Sequence, residues 1–193
     1  MRDQNQSDEW FARLMVAGIV IAILCALAIL FSKRVARRIA HPVTLPVAFI
    51  HYAPEENLEL LDVTLISGAK TTIDVAAYAL TDGPVLAALD RAAMAGVRVR
   101  LYLDKAVRNG TTAPALQMTH LAALPTVQWK YKTARALMHL KSYCVDGATL
   151  RTGSANFSPS GERRQDNDLV VVEGPGACAA FAAHFETMWS REP

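Results

Sequence analysis

Aromatic residues make up only 7% of this 193-residue chain, and there are just three cysteines against 52% hydrophobic residues. So few cysteines exclude a small domain stapled together by disulfides. Cys25, Cys144 and Cys178 lack the spacing of a metal or redox pair, and each is read as a small buried hydrophobe. A strong charge of either sign is also missing, the net charge being +2. Residues 1–39 carry six Lys/Arg against three Asp/Glu, and the remainder fourteen against fifteen. That balance excludes a uniformly basic nucleic-acid-binding surface, though not a local basic patch. Tandem repeats and low-complexity stretches are absent. Charged residues at 20% exclude global disorder, and the length suits one α/β domain with a buried core rather than two.

What is present begins with an apolar run. Leu14 to Phe31 reads LMVAGIVIAILCALAILF, eighteen residues with no charge and no proline, which meets the length of a membrane-spanning helix. Arg2 and Arg13 before it are offset by Asp3, Asp8 and Glu9, whereas Lys33, Arg34, Arg37 and Arg38 follow it. The reading is an N-terminal tail over 1–13, an uncleaved transmembrane anchor over 14–31, a basic linker over 32–46 and a domain over 47–193. Basic residues stay on the cytoplasmic side, so the cluster at 33–38 predicts a domain facing the cytoplasm. The alternative is a signal peptide cleaved after Ala26-Leu27-Ala28, with export of the domain to the periplasm.

Within the domain the hydrophobic period alternates between helical and extended. Leu58, Leu61, Leu65 and Ile66 recur at helical spacing up to Ala69. Ile73, Val75, Ala77 and Ala79 alternate as in a strand. Asp82-Gly83-Pro84 is turn chemistry before a helix over 85–95, which stops at Gly96. A second strand covers 97–103, a helix 113–124 and a short strand 126–131. Strands near 142–146, 148–152 and 168–173 and a helix over 177–189 complete the pattern. No element is assigned before Pro54. Such an order predicts an α/β fold with a mixed sheet between helical layers.

The chemistry concentrates in His139-Leu140-Lys141-Ser142-Tyr143-Cys144-Val145-Asp146. In a strand, His139 and Lys141 point to one face. An imidazole beside an ammonium is unfavourable unless an anion such as phosphate lies between them. The Lys would neutralise non-bridging oxygens while the His attacks phosphorus or protonates the leaving oxygen. Gly153-Ser154-Ala155-Asn156-Phe157-Ser158 follows one strand later and offers hydroxyl, amide and backbone N–H donors to the same oxyanion.

HxKxxxxD followed at close range by GSxNxS resembles the signature of the phospholipase D superfamily, and the chain is similar to its small bacterial nuclease branch. The resemblance runs over about residues 49–190 and takes in Tyr52-Ala53-Pro54, Ala69 to Ile73, Ala77 to Thr81 and Ala95 to Val99. It implies that His139 is a nucleophile forming a covalent phosphohistidine, and that Lys141, Ser154 and Asn156 hold the phosphate. It makes Asp146 a mainly structural member of the motif. Asp166 falls where the family has a Glu that orients the histidine of the opposite site, with Asp168 as its competitor. One motif supplies one imidazole where the reaction needs two, so the resemblance implies a homodimer sharing one active site.

Residues 130–164 hold Lys130, Lys132, Arg135, Lys141, Arg151, Arg163 and Arg164 against Asp146 and Glu162, a rim suited to nucleic acid or to an anionic bilayer. A nucleic-acid endonuclease is the leading expectation, with a phospholipase D acting on phosphatidylcholine or cardiolipin as the alternative. A non-catalytic membrane-bound nucleic-acid binder comes third. Mitochondrial cardiolipin hydrolases share the layout of anchor plus single motif but insert a Cys/His element that this chain lacks. No cofactor and no metal site are expected. His41, His51, His120 and His184 have no partner pattern, and Trp129, Tyr131 and Trp189 read as packing residues.

Overall fold

The structure, a computed structural model, describes residues 15, 18–19, 22–32, 45–105 and 113–192. The chain divides into two units, 1–44 and 45–193. In the first, residues 22–32 are helical. Among the described residues no helix is long and apolar enough to cross a membrane. Much of the anticipated span over 14–31, the 1–13 tail and most of the 32–46 linker lie outside the described residues.

Alternating apolar residues build the centre of the second unit. β2 (Thr72–Ala77) and β3 (Arg98–Leu103) run parallel, with Ile73 opposite Val99 and Val75 opposite Leu101, all four buried. Their other face carries Asp74 opposite Arg100, joined by two hydrogen bonds of 2.7 Å. β4 (Val127–Tyr131) continues the parallel set beyond β3. On the other side of β2 come β5 (Lys141–Val145), β6 (Thr149–Gly153), β7 (Asn167–Glu173) and β1 (Val47–Ala53), each antiparallel to its neighbour. The seven-stranded order is β1-β7-β6-β5-β2-β3-β4, a mixed sheet as the alternation predicts.

Helices α1 (Leu58–Ser67), α2 (Gly83–Met94) and α3 (Ala113–Ala123) lie against one face, where Ile66, Leu86, Leu89 and Leu121 join Val75, Leu101 and Tyr143 in the main core. Asn57 and Asp82 cap the first two by accepting from Leu60 N and Val85 N at 3.1 and 3.2 Å. A short α4 (Pro159–Arg163) follows β6, and α5 (Ala179–Trp189) covers part of the opposite face. Arg100 reaches that helix as well, bonding Glu186 at 2.6 Å with its guanidinium over Phe185 and Trp189.

Three expectations are corrected. Residues 47–53 form an edge strand, although the sequence reading places no element there. Cys144 and Cys178 are not separate hydrophobes but a disulfide, S–S 2.10 Å, across 34 residues of chain. Closing a loop of that length contributes about 4 kcal/mol by chain-entropy reasoning. His51 and His120 do have partners, each ring nitrogen lying 2.7 Å from a carboxylate, of Glu56 and of Asp90 respectively.

Candidate active site

Strand direction gathers the motifs at one end of the sheet. Lys141 opens β5 opposite Ala77 at the end of β2, Gly153 closes β6 opposite Leu169, and Asn167 opens β7 opposite Ala53 at the end of β1. His139 lies just before β5 in irregular chain, so it does not share strand alternation with Lys141 as the sequence reading has it. Backbone bonds hold it instead. Tyr78 N donates to Leu140 O at 2.8 Å, and Met138 N to the Asp104 carboxylate at 2.8 Å.

Tyr78 mediates between the two functional groups. Its ring centroid lies 4.5 Å from that of His139 and 4.9 Å from Lys141 Nζ. Lys141 Nζ donates to His139 O at 2.7 Å. The imidazole is exposed, while Lys141 is only 6% exposed. Burial, and then the nearby Arg151 charge, hold the Lys141 ammonium below its ordinary pKa. An exposed imidazole beside a desolvated cation suits an oxyanion, because an ammonium starved of water gains more from a phosphate than a solvated one does.

The second motif forms the turn after β6. At Gly153, φ is +141° and a Cβ would fall 2.4 Å from Asp168 O, so no side chain fits. Ser154 is locked to β7: its N–H donates to Asp168 Oδ1 at 3.1 Å, and its hydroxyl donates to Asn167 Oδ1 at 3.0 Å and accepts from Asp168 N at 2.9 Å. The Ser154 hydrogen bonds keep the Asp168 carboxyl below its ordinary range. Asn156 Oδ1 is buried and has no hydrogen-bond partner among the described residues. Gly161 packs so tightly on Asn156 that a Cβ there would lie 2.5 Å from Asn156 O.

Two ties join the motifs. Thr81 N and Asp82 N donate to Phe157 O at 2.8 and 3.0 Å, linking the Tyr78 loop to the Asn156 loop. Arg151, fully buried, donates through Nη1 to Lys141 O at 2.8 Å and to Ala155 O at 3.1 Å. Its Nε and Nη2 fork onto Asp62 at 3.0 and 2.9 Å, and Nη2 also reaches Glu162 at 3.3 Å. Burial, and then the Asp62 charge, push the Glu162 carboxyl up to about 9, so it is neutral at pH 7.

The remaining candidates separate. Asp146 follows β5 at its far end, five residues and roughly 16 Å of strand from Lys141. Its carboxylate accepts from Lys70 N, Thr71 N and Thr71 Oγ at 2.8 Å and from Thr72 N at 2.9 Å. Those bonds outweigh partial burial and bring it down to about 2. Asp146 therefore pins the start of β2 and is remote from His139. Asp166 is exposed and lines a groove of about 540 Å³ with Ser154, Asn167, Asp168, Ile50 and Tyr52. Of the competing acids, only Asp168 bonds Ser154. Tyr78, Arg151 and Asn167 are site residues that the sequence reading does not assign. Tyr78 carried a signal, an aromatic residue directly past a central strand at the same end as the motif. In the sequence Arg151 shows only as charge, and Asn167 has no signal apart from its acidic neighbours. Among the described residues no group of three or more His, Cys, Asp or Glu could hold a metal ion.

A mixed sheet thus brings an exposed imidazole and a buried ammonium together at one end of its strands, in an α/β protein. The chain belongs to the phospholipase D superfamily: the family model described as cardiolipin synthase, PLD-like domain, matches residues 63–189. Phospholipase D of Rickettsia prowazekii is 25% identical over 122 residues, 63% of this chain and 58% of the relative. The mitochondrial cardiolipin hydrolase of Chlamydomonas reinhardtii is 25% identical over 126 residues, 64% of this chain and 54% of the relative. The chain thus spans little more than half the length of these curated relatives. Nuc of Salmonella typhimurium, a phospholipase D family member of known structure, superposes with a TM-score of 0.69 at 28% identity over 77% of this chain and 97% of Nuc. NucT of Helicobacter pylori superposes at 0.68 with 18% identity, a likeness of fold.

Proposed function

We propose that the chain hydrolyses phosphodiester bonds, and the observation that carries this is the packing of exposed His139 and buried Lys141 about the Tyr78 ring. His139 attacks phosphorus, and the P–O bond to the leaving group breaks as that oxygen takes a proton from a second imidazole. A phosphohistidine results, and water then cleaves it, giving its proton to the second imidazole. Lys141, with Ser154 and Asn156 across the Arg151 tie, holds the non-bridging oxygens. The second imidazole is His139 of another copy, so the working unit is a homodimer. β1 supports this. It is an edge strand with Val47, Phe49, Ile50 and Tyr52 each about half exposed, and Ile50 and Tyr52 share the groove with Ser154.

Nucleic acid is the substrate we favour, on the likeness to Nuc and the exposed Arg135 and Arg164. The basic rim is thinner than the sequence suggests. Lys130 is tied to Trp189 O and Glu192 O, Arg151 is buried, and Arg163 pairs with Glu59. Phospholipid is the second reading, favoured by the apolar groove wall of Ile50, Tyr52 and Val170 and by the run over 14–31, which we propose as a membrane anchor. Incubating the protein in chelator with plasmid DNA, or with phosphatidylcholine or cardiolipin vesicles, tests both. DNA cleavage alone supports the first reading, headgroup release alone the second, and neither contradicts the proposal.

A further inference from the structure

Cys144 and Cys178 are 6% and 2% exposed, and their bond joins the penultimate residue of β5 to the N-cap residue of α5. That helix start has no side-chain cap and no acidic residue in its first turn, so the disulfide and apolar contacts fasten it together with the backbone bonds of the preceding turn. The two cysteines lie in one buried cluster with Ala76, Tyr102, Met138 and Phe185. Met138 directly precedes His139. The bond therefore braces the surface on which the His139 segment rests.

We propose that Cys144–Cys178 is a permanent disulfide, that the domain matures and works on the oxidising side of the membrane, and that the bond keeps His139 in working position. The last clause rests on the phosphodiesterase reading; the first two do not. Forming the bond removes two protons and two electrons from the two thiols. A disulfide-bearing oxidant accepts them through a mixed disulfide and leaves as a dithiol. In the cytoplasm glutathione and thioredoxin run that exchange the other way, and lasting disulfides are rare there. The basic cluster at 33–38 points to the cytoplasm, but Arg2 and Arg13 on the other flank narrow its margin to four against two. A buried covalent bond in the folded domain outweighs that margin.

Two experiments on the full-length chain decide the matter. In the first, cells expressing it are quenched in acid, denatured without reductant and treated with a thiol-alkylating reagent, and a reporter is fused after Pro193. Cys144 and Cys178 should stay unlabelled while Cys25 reacts, and alkaline phosphatase should be active as the reporter. Labelling of both residues, or fluorescence from a reporter that matures only in the cytoplasm, overturns the assignment of compartment. Both readouts stand even if no phosphodiester is cleaved. In the second, reductant should lower the Tm of the purified protein by roughly 10 °C. It should also cut kcat at least tenfold with KM little changed. The Cys144→Ala/Cys178→Ala variant should show the lowered Tm and kcat without reductant and no further response to it. Unchanged kcat after full reduction overturns the positioning role.

Discussion

Lys141 and Glu162 both have shifted pKa values, in opposite senses and for one reason. Burial disfavours the ammonium of Lys141 and lowers its pKa, and it disfavours the carboxylate of Glu162 and raises its pKa. Folding thus works against the charge that the proposed chemistry needs at Lys141. Lys141→Met should lower kcat by about 10²–10³-fold while leaving Tm unchanged or higher, which turnover and thermal melts measure together. At Glu162 the carboxyl is raised from 4.5 to about 9, so its contribution to stability is full below pH 4.5 and is lost as pH rises toward 9. Wild type should lose stability steadily between pH 6 and pH 9 in urea titrations. Glu162→Gln, which keeps the shape of the neutral acid, should show a much flatter curve over that interval.

At the scale of elements, β1 is the strand that the sequence concealed and the one with most to explain. Its apolar residues follow a linker and run to Pro54 without polar alternation, because it is an edge strand exposed on both faces rather than one packed between a core and solvent. The inner strands were legible for the opposite reason: Ile73 and Val75 alternate with Asp74, and Val99 and Leu101 with Arg100, matching one buried and one polar face. The motif residues were legible as types and spacing. Their geometry was not, because it depends on long-range ties: Tyr78 to His139, Arg151 across β5 and β6, and Asn167 and Asp168 onto Ser154. The disulfide was hidden likewise, since only the packing of α5 on the sheet brings Cys178 to Cys144. If β1 and its groove seat the second copy, Ile50→Asp with Tyr52→Glu should shift the protein from dimer to monomer in sedimentation. The same variant should lower turnover by at least about 100-fold without changing the fold. A dimer that survives the double substitution places the interface elsewhere.

For the molecule as a whole, a single motif offering one imidazole to the proposed reaction predicts that activity belongs to pairs. Mixing wild-type chains with a ninefold excess of His139→Asn chains, then letting subunits exchange, should cut the activity per wild-type chain to about one tenth, since few pairs keep both imidazoles. Proportional activity with no such loss would mean that each chain works alone. Beneath pairing, substrate and compartment lies the claim that His139 forms the bond to phosphorus. Its direct test is to incubate the protein with bis(p-nitrophenyl) phosphate, quench in alkali, where phosphohistidine survives, and locate the adduct by peptide mass spectrometry. A p-nitrophenyl phosphoryl group is expected on His139, with neither adduct nor turnover in His139→Asn. Steady turnover by His139→Asn, or an adduct on another residue, would contradict the claim.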